Sequence, residues 1–301
     1  MKRHLFAQGV LLGAAIWVLP ATASATIEAS VSGSARNPPG PTLSESHASS
    51  LPAFQMDADV SNAIGGHGLA MAALDFGWGY MTGRTHSCVG PQSPFTDQAF
   101  GTSSISAVNE FMRVTYDGAP QPQNVSITFC YSITSNAYGS TREPSLTDTS
   151  HAQNQIVMNV AGQQIVNGLH GLNVQSGARI ATQSFAGMTQ ETATLSGTFT
   201  RVLPVNFEFA FDVTAISQTE ATSRSRAAAF PDVEASAGFA VTFGVSSITP
   251  GAHLIWRGQD WTGFCGDSSS LVPPNPYDTP APGALAMFGL IGAMGTARRR
   301  R

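Results

Sequence analysis

Hydrophobic and polar residues alternate along several stretches of this chain, and this period-two pattern constrains the fold more than any other feature. The alternation is clear over 125–133, 203–213 and 237–245, and weaker over 27–31, 54–60, 105–116, 156–160 and 193–199. Successive side chains of a strand point to opposite faces, so each stretch predicts a half-buried β-strand. In the longest stretch, Leu203, Phe207 and Phe211 are expected to share one face.

Helical periodicity is nearly absent between residues 26 and 271. The one ambiguous segment is 69–78, where an alanine- and methionine-rich run suits a helix that Gly77 and Gly79 would end. Short alternating segments separated by glycine and proline turns predict an all-β fold, a single antiparallel β-sandwich of jelly-roll type. Residues 32–50 are rich in serine, proline and glycine and predict an irregular lead-in to this domain.

The N-terminus has the pattern of a secretory signal peptide. Lys2 and Arg3 precede an apolar stretch over 5–19, and small residues occupy the positions before a cleavage site after Ala25. We therefore expect residues 1–25 to direct export and to be removed. The alternative is an uncleaved anchor helix.

The C-terminus carries a second apolar segment. After a proline-rich linker over 272–282, residues 283–297 contain no charge, and the chain ends in four arginines: Arg298, Arg299, Arg300 and Arg301. As a helix, 283–297 would measure about 22 Å, which is shorter than a hydrocarbon core of about 30 Å. The arginines are expected to stay on the cytoplasmic side, with everything upstream outside the membrane.

This tail resembles the sorting signal of the PEP-CTERM proteins of Gram-negative-type bacteria. Pro280 and Pro282 match the two prolines of that signal, with Ala281 where the family usually has glutamate, and the apolar segment and arginine cluster follow in the same order. The resemblance covers about 279–301 and the signal peptide. It implies processing by an exosortase, a membrane enzyme, and delivery to the cell surface or extracellular matrix.

The charge of the body excludes nucleic acid as a partner. Residues 26–280 contain nine arginines, no lysine and all nineteen carboxylates of the chain, which gives a formal net charge of −10. Nucleic-acid-binding domains need a basic surface, and this region has no such excess.

Catalytic and metal signatures are weak. The chain lacks the HExxH, CxxC and GxSxG motifs, so we expect no catalysis, no cofactor and no metal. Asp57 and Asp59 suggest a calcium pair, but their alternation with apolar residues predicts a solvated strand face instead. His67 and His86 could form a metal or acid–base site with Asp75, although their spacing favours loop histidines without such a role.

Aromatic residues provide the best binding hypothesis. Trp256 and Trp261 flank Arg257 and Asp260, a combination of flat apolar rings and hydrogen-bonding groups that suits a sugar. The alternative is that Trp256 caps the core and Trp261 packs under the final loop.

The three cysteines leave one outside any intrachain disulfide. Cys130 lies in the strongest strand pattern, while Cys88 and Cys265 lie in glycine-containing segments. We predict a Cys88–Cys265 disulfide, although sequence alone leaves the connectivity open.

Together these features predict an exported, surface-anchored or matrix-associated protein with a structural or adhesive role. The alternatives are a carbohydrate-binding module of the extracellular polysaccharide layer and a glycan-active enzyme. The tail predicts at least transient contact with the membrane. Processing is expected to remove a C-terminal segment that begins near 280–283. The rival is a permanent anchor.

Overall fold

The computed structural model describes residues 25–36, 42–62, 66–89, 97–141, 148–175, 178–183, 192–223, 233–261, 263 and 265–266. Apart from residue 25, the predicted signal peptide lies outside the described residues, as do the proline-rich linker over 272–282 and the apolar helix over 283–301. Among the described residues, no helix is both long and apolar enough to cross a membrane.

The described residues form fifteen strands in two antiparallel sheets. Sheet 1 contains β1 (Thr26–Ala35), β2 (Leu43–Ser49), β6 (Asp97–Tyr116), β8 (Thr149–Val160), β9 (Gln163–Gln175), β10 (Ala178–Gln183), β12 (Glu208–Ser223), β14 (Ala252–Trp256) and β15 (Gln259–Asp260). Sheet 2 contains β3 (Ala53–Ser61), β4 (His67–Asp75), β5 (Tyr80–Val89), β7 (Asn124–Thr141), β11 (Thr192–Pro204) and β13 (Val233–Ile248).

The two sheets pack face to face, which confirms the predicted β-sandwich. Sheet 1 has the order β10-β9-β8-β12-β6-β1-β2, with β14 also paired to β6 and β15 to β14. Sheet 2 has the order β11-β7-β13-β5-β4-β3. The apolar rows of both sheets meet in the interior, as the alternation predicted for 125–133 and 237–245.

Aromatic rings fill one end of this interior. Phe211 of β12 lies 5.2 Å from Phe243 of β13 between ring centroids, and Phe76 lies 5.4 Å from Phe243. Trp261 packs against Phe211 at 5.6 Å and is only 3% exposed. Such tilted ring pairs combine a large buried area with favourable geometry.

The sheets approach each other closely near the start of β4. A Cβ atom added to Gly33 of β1 would lie 2.4 Å from the Gly68 carbonyl oxygen of β4, so only glycine fits there. Hydroxyl groups on the inner face continue this contact: Thr85 Oγ1 lies 3.0 Å from Ser217 Oγ, and Ser87 Oγ lies 2.8 Å from Thr219 Oγ1. These contacts hold β4 and β5 firmly on sheet 1.

The structure resolves one ambiguous segment and overturns two expectations about local structure. The ambiguous segment 69–78 is not a helix, because β4 pairs with β3 and β5 on its two edges and buries both faces, which overrides its helix propensity. Residues 32–50 are not an irregular lead-in, since β1 and β2 pair over much of this range. The stretch 203–213 is interrupted by a turn at Asn206, whose φ is 65°, so Phe207 is 42% exposed.

The predicted Cys88–Cys265 disulfide is also wrong, because the bond joins Cys130 and Cys265 with their Cα atoms 5.7 Å apart. The register explains the difference. Along β13, Cys130 is opposite Gly244 and Cys88 is opposite Glu234. Ten residues of strand separate these positions by about 33 Å. Gly263 bridges to Gly244, which brings Cys265 to Cys130 and keeps it far from Cys88.

Candidate functional site

The two tryptophans of the predicted sugar site have structural contacts. Trp261 is buried in the core, and its Nε1–H donates to the carbonyl oxygen of Phe76 at 2.8 Å. Trp256 is half-buried, with its ring 5.0 Å from Phe76 and 4.9 Å from the Arg257 guanidinium carbon. Trp261 therefore has no exposed face for a sugar, and the hypothesis of a paired tryptophan platform is wrong.

Arg257 and Trp256 bind a buried carboxylate that the sequence did not reveal. Glu110 is 1% exposed, and it accepts hydrogen bonds from Trp256 Nε1–H at 2.7 Å and from Arg257 at 3.1 Å. A β-bulge at Asn109, whose φ is 56°, shifts the alternation of β6 by one residue and turns Glu110 inward. The Asn109 backbone N–H donates to Asp212 at 2.7 Å, which fixes the bulge.

Asp260, the fourth residue of the predicted sugar site, is well exposed and lies 3.3 Å from His253 Nδ1. Trp256 and Arg257 thus close the core beside Glu110 while Asp260 faces solvent. Of the alternative, the structure shows that Trp256 packs on the core at Phe76 and that Trp261 is buried.

A different group of side chains converges on the outer face of sheet 2. His67 of β4 is directly opposite Cys88 of β5, and Cys88 is directly opposite Glu234 of β13. His86 is two residues before Cys88 and therefore points to the same face. Asp59 of β3 joins them from the neighbouring strand. We name the first three residues, His67, His86 and Cys88, the His–Cys cluster.

The distances within this group are short. The two imidazole rings lie 5.9 Å apart between centroids, and one ligand atom from each of the three cluster residues lies within 4.8 Å of the other two. Asp59 Oδ1 lies 2.6 Å from His67 Nε2, and Glu234 Oε1 lies 3.2 Å from His86 Nε2. Both histidines are therefore oriented by carboxylates.

The side chains of this group range from exposed carboxylates to buried histidines. The side chains of Asp59 and Glu234 are 57% and 28% exposed, whereas those of His67 and His86 are 15% and 1% exposed. Burial, and to a lesser extent the charges of His67 and Arg84, lowers the pKa of His86 from its ordinary value of 6.5 to about 3. His86 is consequently a neutral imidazole at physiological pH, the form in which histidine binds metals.

The sequence pointed to several of these residues, but in other combinations. His67 and His86 were expected in loops, whereas both lie in strands. Asp75, their proposed partner, is opposite Tyr80 at the other end of β4, about 26 Å away along the strand. Asp57 and Asp59 lie on the exposed face of β3, which confirms the predicted solvated face.

One sequence signal could have found the His–Cys cluster. If the turn over 76–79 is taken as a hairpin loop, pairing Asp75 with Tyr80 places His67 opposite Cys88. The ambiguity of 69–78 between helix and strand concealed that hairpin. The position of Glu234 beside the cluster could not be predicted from the sequence. Its strand β13 is separated from β5 by more than 140 residues, and the pairing of the two strands has no local signature.

The described surface includes two shallow depressions. One, of about 450 Å³, lies along β1, β2 and β6 and is lined by serines, alanines and Glu28. The other, of about 590 Å³, lies beside the disulfide and is lined by residues that include Tyr131 and Gly197. Neither depression includes a residue of the His–Cys cluster, nor do their linings bring two carboxylates together.

Comparison with known proteins gives no match: no family model fits the sequence, and no curated protein is similar to it.

Proposed function

We propose that this protein is exported and acts as a structural or adhesive β-sandwich at the cell surface or in the extracellular matrix. The chain enters the secretory pathway through residues 1–25. Its tail, with Pro280, Pro282 and the terminal arginines, is recognised by an exosortase-like membrane enzyme, as the resemblance to PEP-CTERM proteins implies.

The Cys130–Cys265 disulfide is the observation that carries this proposal. Cys265 precedes the linker over 272–282, so the disulfide attaches the chain to the sandwich just before the segment that leads to the membrane. Cys130 lies in β7, which is paired on both edges, with β11 and β13. A pull on the tail would therefore act on an interior strand of sheet 2, where it is resisted by hydrogen bonds on both sides.

The disulfide also suits the proposed compartment. Disulfides form and persist in the periplasm and outside the cell, and they are rare in the reducing cytosol. The bond closes a sequence separation of 135 residues, so it restricts the unfolded chain strongly.

The linings of the two described depressions support a structural role over catalysis on glycans. Hydrolysis of a glycosidic bond usually requires two carboxyl groups facing each other across a cleft. Glu28 is the one carboxylate that lines either described depression. Glu110 is buried and bonded to Trp256 and Arg257. We therefore propose no catalytic centre and no sugar platform at these residues.

Intact mass and cell fractionation in the native host test the proposal. We expect the mature chain to begin at Thr26, to lack a C-terminal segment beginning near 280–283, and to fractionate with the surface or matrix. A mass that retains 283–301 would refute processing and leave a permanently anchored protein. Recovery of the unprocessed chain in the cytosol would refute export altogether.

A matched pair of variants isolates the role of the arginine cluster. Deletion of Arg298 to Arg301 should misplace the protein without unfolding the sandwich, because the described residues that form the sandwich are left intact. Replacement of the same four residues by lysine retains the positive charge and should preserve the location. Normal location of the deletion variant would overturn the sorting role.

A further inference from the structure

The His–Cys cluster has the composition of a transition-metal site. It combines two imidazoles with one thiol, ligands that bind zinc, copper or nickel and that calcium and magnesium avoid. We propose that His67, His86 and Cys88 bind a single divalent ion of the zinc class on the outer face of sheet 2. This inference does not depend on where the protein is anchored.

The distances suit a tetrahedral ion after a small adjustment. Zinc binds nitrogen at about 2.1 Å and sulfur at about 2.3 Å, so tetrahedral ligand atoms lie roughly 3.4–3.6 Å apart. The three ligand atoms already lie within 4.8 Å of one another. Bringing them to ligand separation requires shifts of about 1.3 Å or less, which side-chain rotation supplies. A water molecule or a neighbouring carboxylate completes the fourth position.

Two carboxylates already contact the ring nitrogens of the two histidines, as carboxylates around a metal site usually do. Metal-binding histidines usually donate their second ring N–H to a carboxylate, which fixes the tautomer and strengthens the ligand. Asp59 lies against Nε2 of His67, and Glu234 lies against Nε2 of His86. When each Nε2–H donates to its carboxylate, Nδ1 carries the lone pair that binds the ion.

The charges of the group fit a divalent ion. With Cys88 as thiolate and both histidines neutral, Cys88, Asp59 and Glu234 contribute three negative charges. Arg84, which is 3% exposed and lies on the same face of β5 as His86, contributes one positive charge. Summed over the described residues of the group, these charges give −2, which one divalent zinc ion balances.

The sandwich holds the ligands rigidly. Cys88 and His86 lie in β5, which is paired with β4 and β13, and His67 begins β4. Behind them, Gly33 and Gly68 bring the two sheets into backbone contact. Ligands on paired strands keep their relative positions better than ligands on loops, which favours metal binding.

Cysteine usage supports the same assignment. The chain has three cysteines, and Cys130 and Cys265 are joined to each other. Cys88 is the third cysteine, and coordination of its thiolate to a metal would protect the sulfur from oxidation.

Zinc titration of the full chain tests the proposal. Protein stripped with a chelator and then dialysed should bind one Zn²⁺ per chain in competition with a chromophoric chelator. Binding of Co²⁺ in place of zinc should produce a thiolate-to-cobalt charge-transfer band and the visible bands of a tetrahedral site. Absence of stoichiometric binding to the folded protein would overturn the proposal.

Variants separate this site from adventitious binding. Cys88→Ser should abolish the charge-transfer band and weaken zinc binding by more than about 100-fold, because even outer-shell changes cost 10–100-fold. Asp59→Asn should weaken binding by about 10-fold or more. Asp57→Asn, on the same exposed face, and His253→Ala, at a histidine that also contacts carboxylates, should leave affinity unchanged.

Alkylation of Cys88 distinguishes a metal site from a reactive thiol. Since His67 is bonded to Asp59, the same residues could instead activate Cys88 as a nucleophile. Zinc should slow alkylation of Cys88 by iodoacetamide in the wild-type protein by at least about 10-fold, in line with the affinity of a structural site. Rapid alkylation that zinc does not slow would show a reactive thiol and overturn the metal assignment.

Discussion

The buried carboxylate of Glu110 provides a sharp test of the packing described here. Its two oxygens accept hydrogen bonds from Trp256 Nε1–H and from Arg257, whose side chain is 46% exposed. Arg257→Ala leaves an ionised carboxylate in the interior with Trp256 as the remaining described donor. Glu110→Gln removes the charge and retains an oxygen that can accept from Trp256.

The magnitudes follow from these contacts. A hydrogen bond to a charged group contributes about 1.5–3 kcal/mol, and a cation–π contact at an exposed ring about 0.5–1 kcal/mol. Because Arg257 is nearly half exposed, solvent screens its charge, so we expect Arg257→Ala to lower the free energy of unfolding by about 2 kcal/mol. Glu110→Gln should cost about 1 kcal/mol, since one hydrogen bond is preserved.

The double variant tests whether the effects of Arg257 and Glu110 on stability are coupled. Once Glu110→Gln has replaced the carboxylate by an uncharged amide, removal of Arg257 no longer leaves a buried charge without its partner. The combination of Glu110→Gln with Arg257→Ala should therefore cost about 2 kcal/mol, below the value of about 3 kcal/mol for independent sites. Guanidinium unfolding followed by tryptophan fluorescence measures all three values, with an unchanged m-value as a check on two-state behaviour.

Arg201 supplies the matched control. It donates to neutral acceptors on Gln163 and Ala161 at 2.8 and 3.1 Å, so Arg201→Ala leaves no buried charge. Its effect should add to that of Glu110→Gln without coupling. If Arg257→Ala and Glu110→Gln also add, then Glu110 does not depend on Arg257 and the reasoning fails.

Three further predictions concern the disulfide, the core and the pH dependence. Cys130→Ala removes the disulfide and should destabilise the protein by about 2–5 kcal/mol in thermal unfolding, less any structure kept in the reduced unfolded chain; an unchanged melting temperature would contradict this. Phe211→Ala should cost about 3–5 kcal/mol because the ring is 1% exposed, whereas Val202→Ala, at 67% exposure, should change the stability by less than about 0.5 kcal/mol. Burial, and to a lesser extent the charge of Asp75, raises the pKa of Tyr80 above 10, so the folded state keeps a proton that the unfolded state releases. Stability should therefore fall as pH rises above 10, and Tyr80→Phe should reduce that fall in urea unfolding at a series of pH values.

Much of the strand content was predictable, because alternation reports on burial directly. The stretches 125–133 and 237–245 lie within β7 and β13, and their apolar rows form the interior. The failures occurred where a local rule competed with a long-range contact. The segment 69–78 has helix-forming residues, yet strands on both edges fix it as β4.

The bulge at Asn109 shows a second reason for failure. Simple alternation along β6 places Glu110 on the outer face, and one extra residue reverses this assignment for the charged side chain. A single inserted residue leaves almost no trace in composition or periodicity. Its effect is nevertheless large, because it determines that Trp256 and Arg257 bind a buried carboxylate.

The sequence by itself determined that this chain forms strands and that the interior is lined by their apolar rows. It also supplied the expectation of export and sorting from the two ends. The tertiary structure alone decided which polar residues meet. His67, Cys88 and Glu234 share a row of sheet 2, and Cys130 binds Cys265, because pairing between distant strands sets the register. That register is fixed by the packing of whole faces, so no local pattern encodes it.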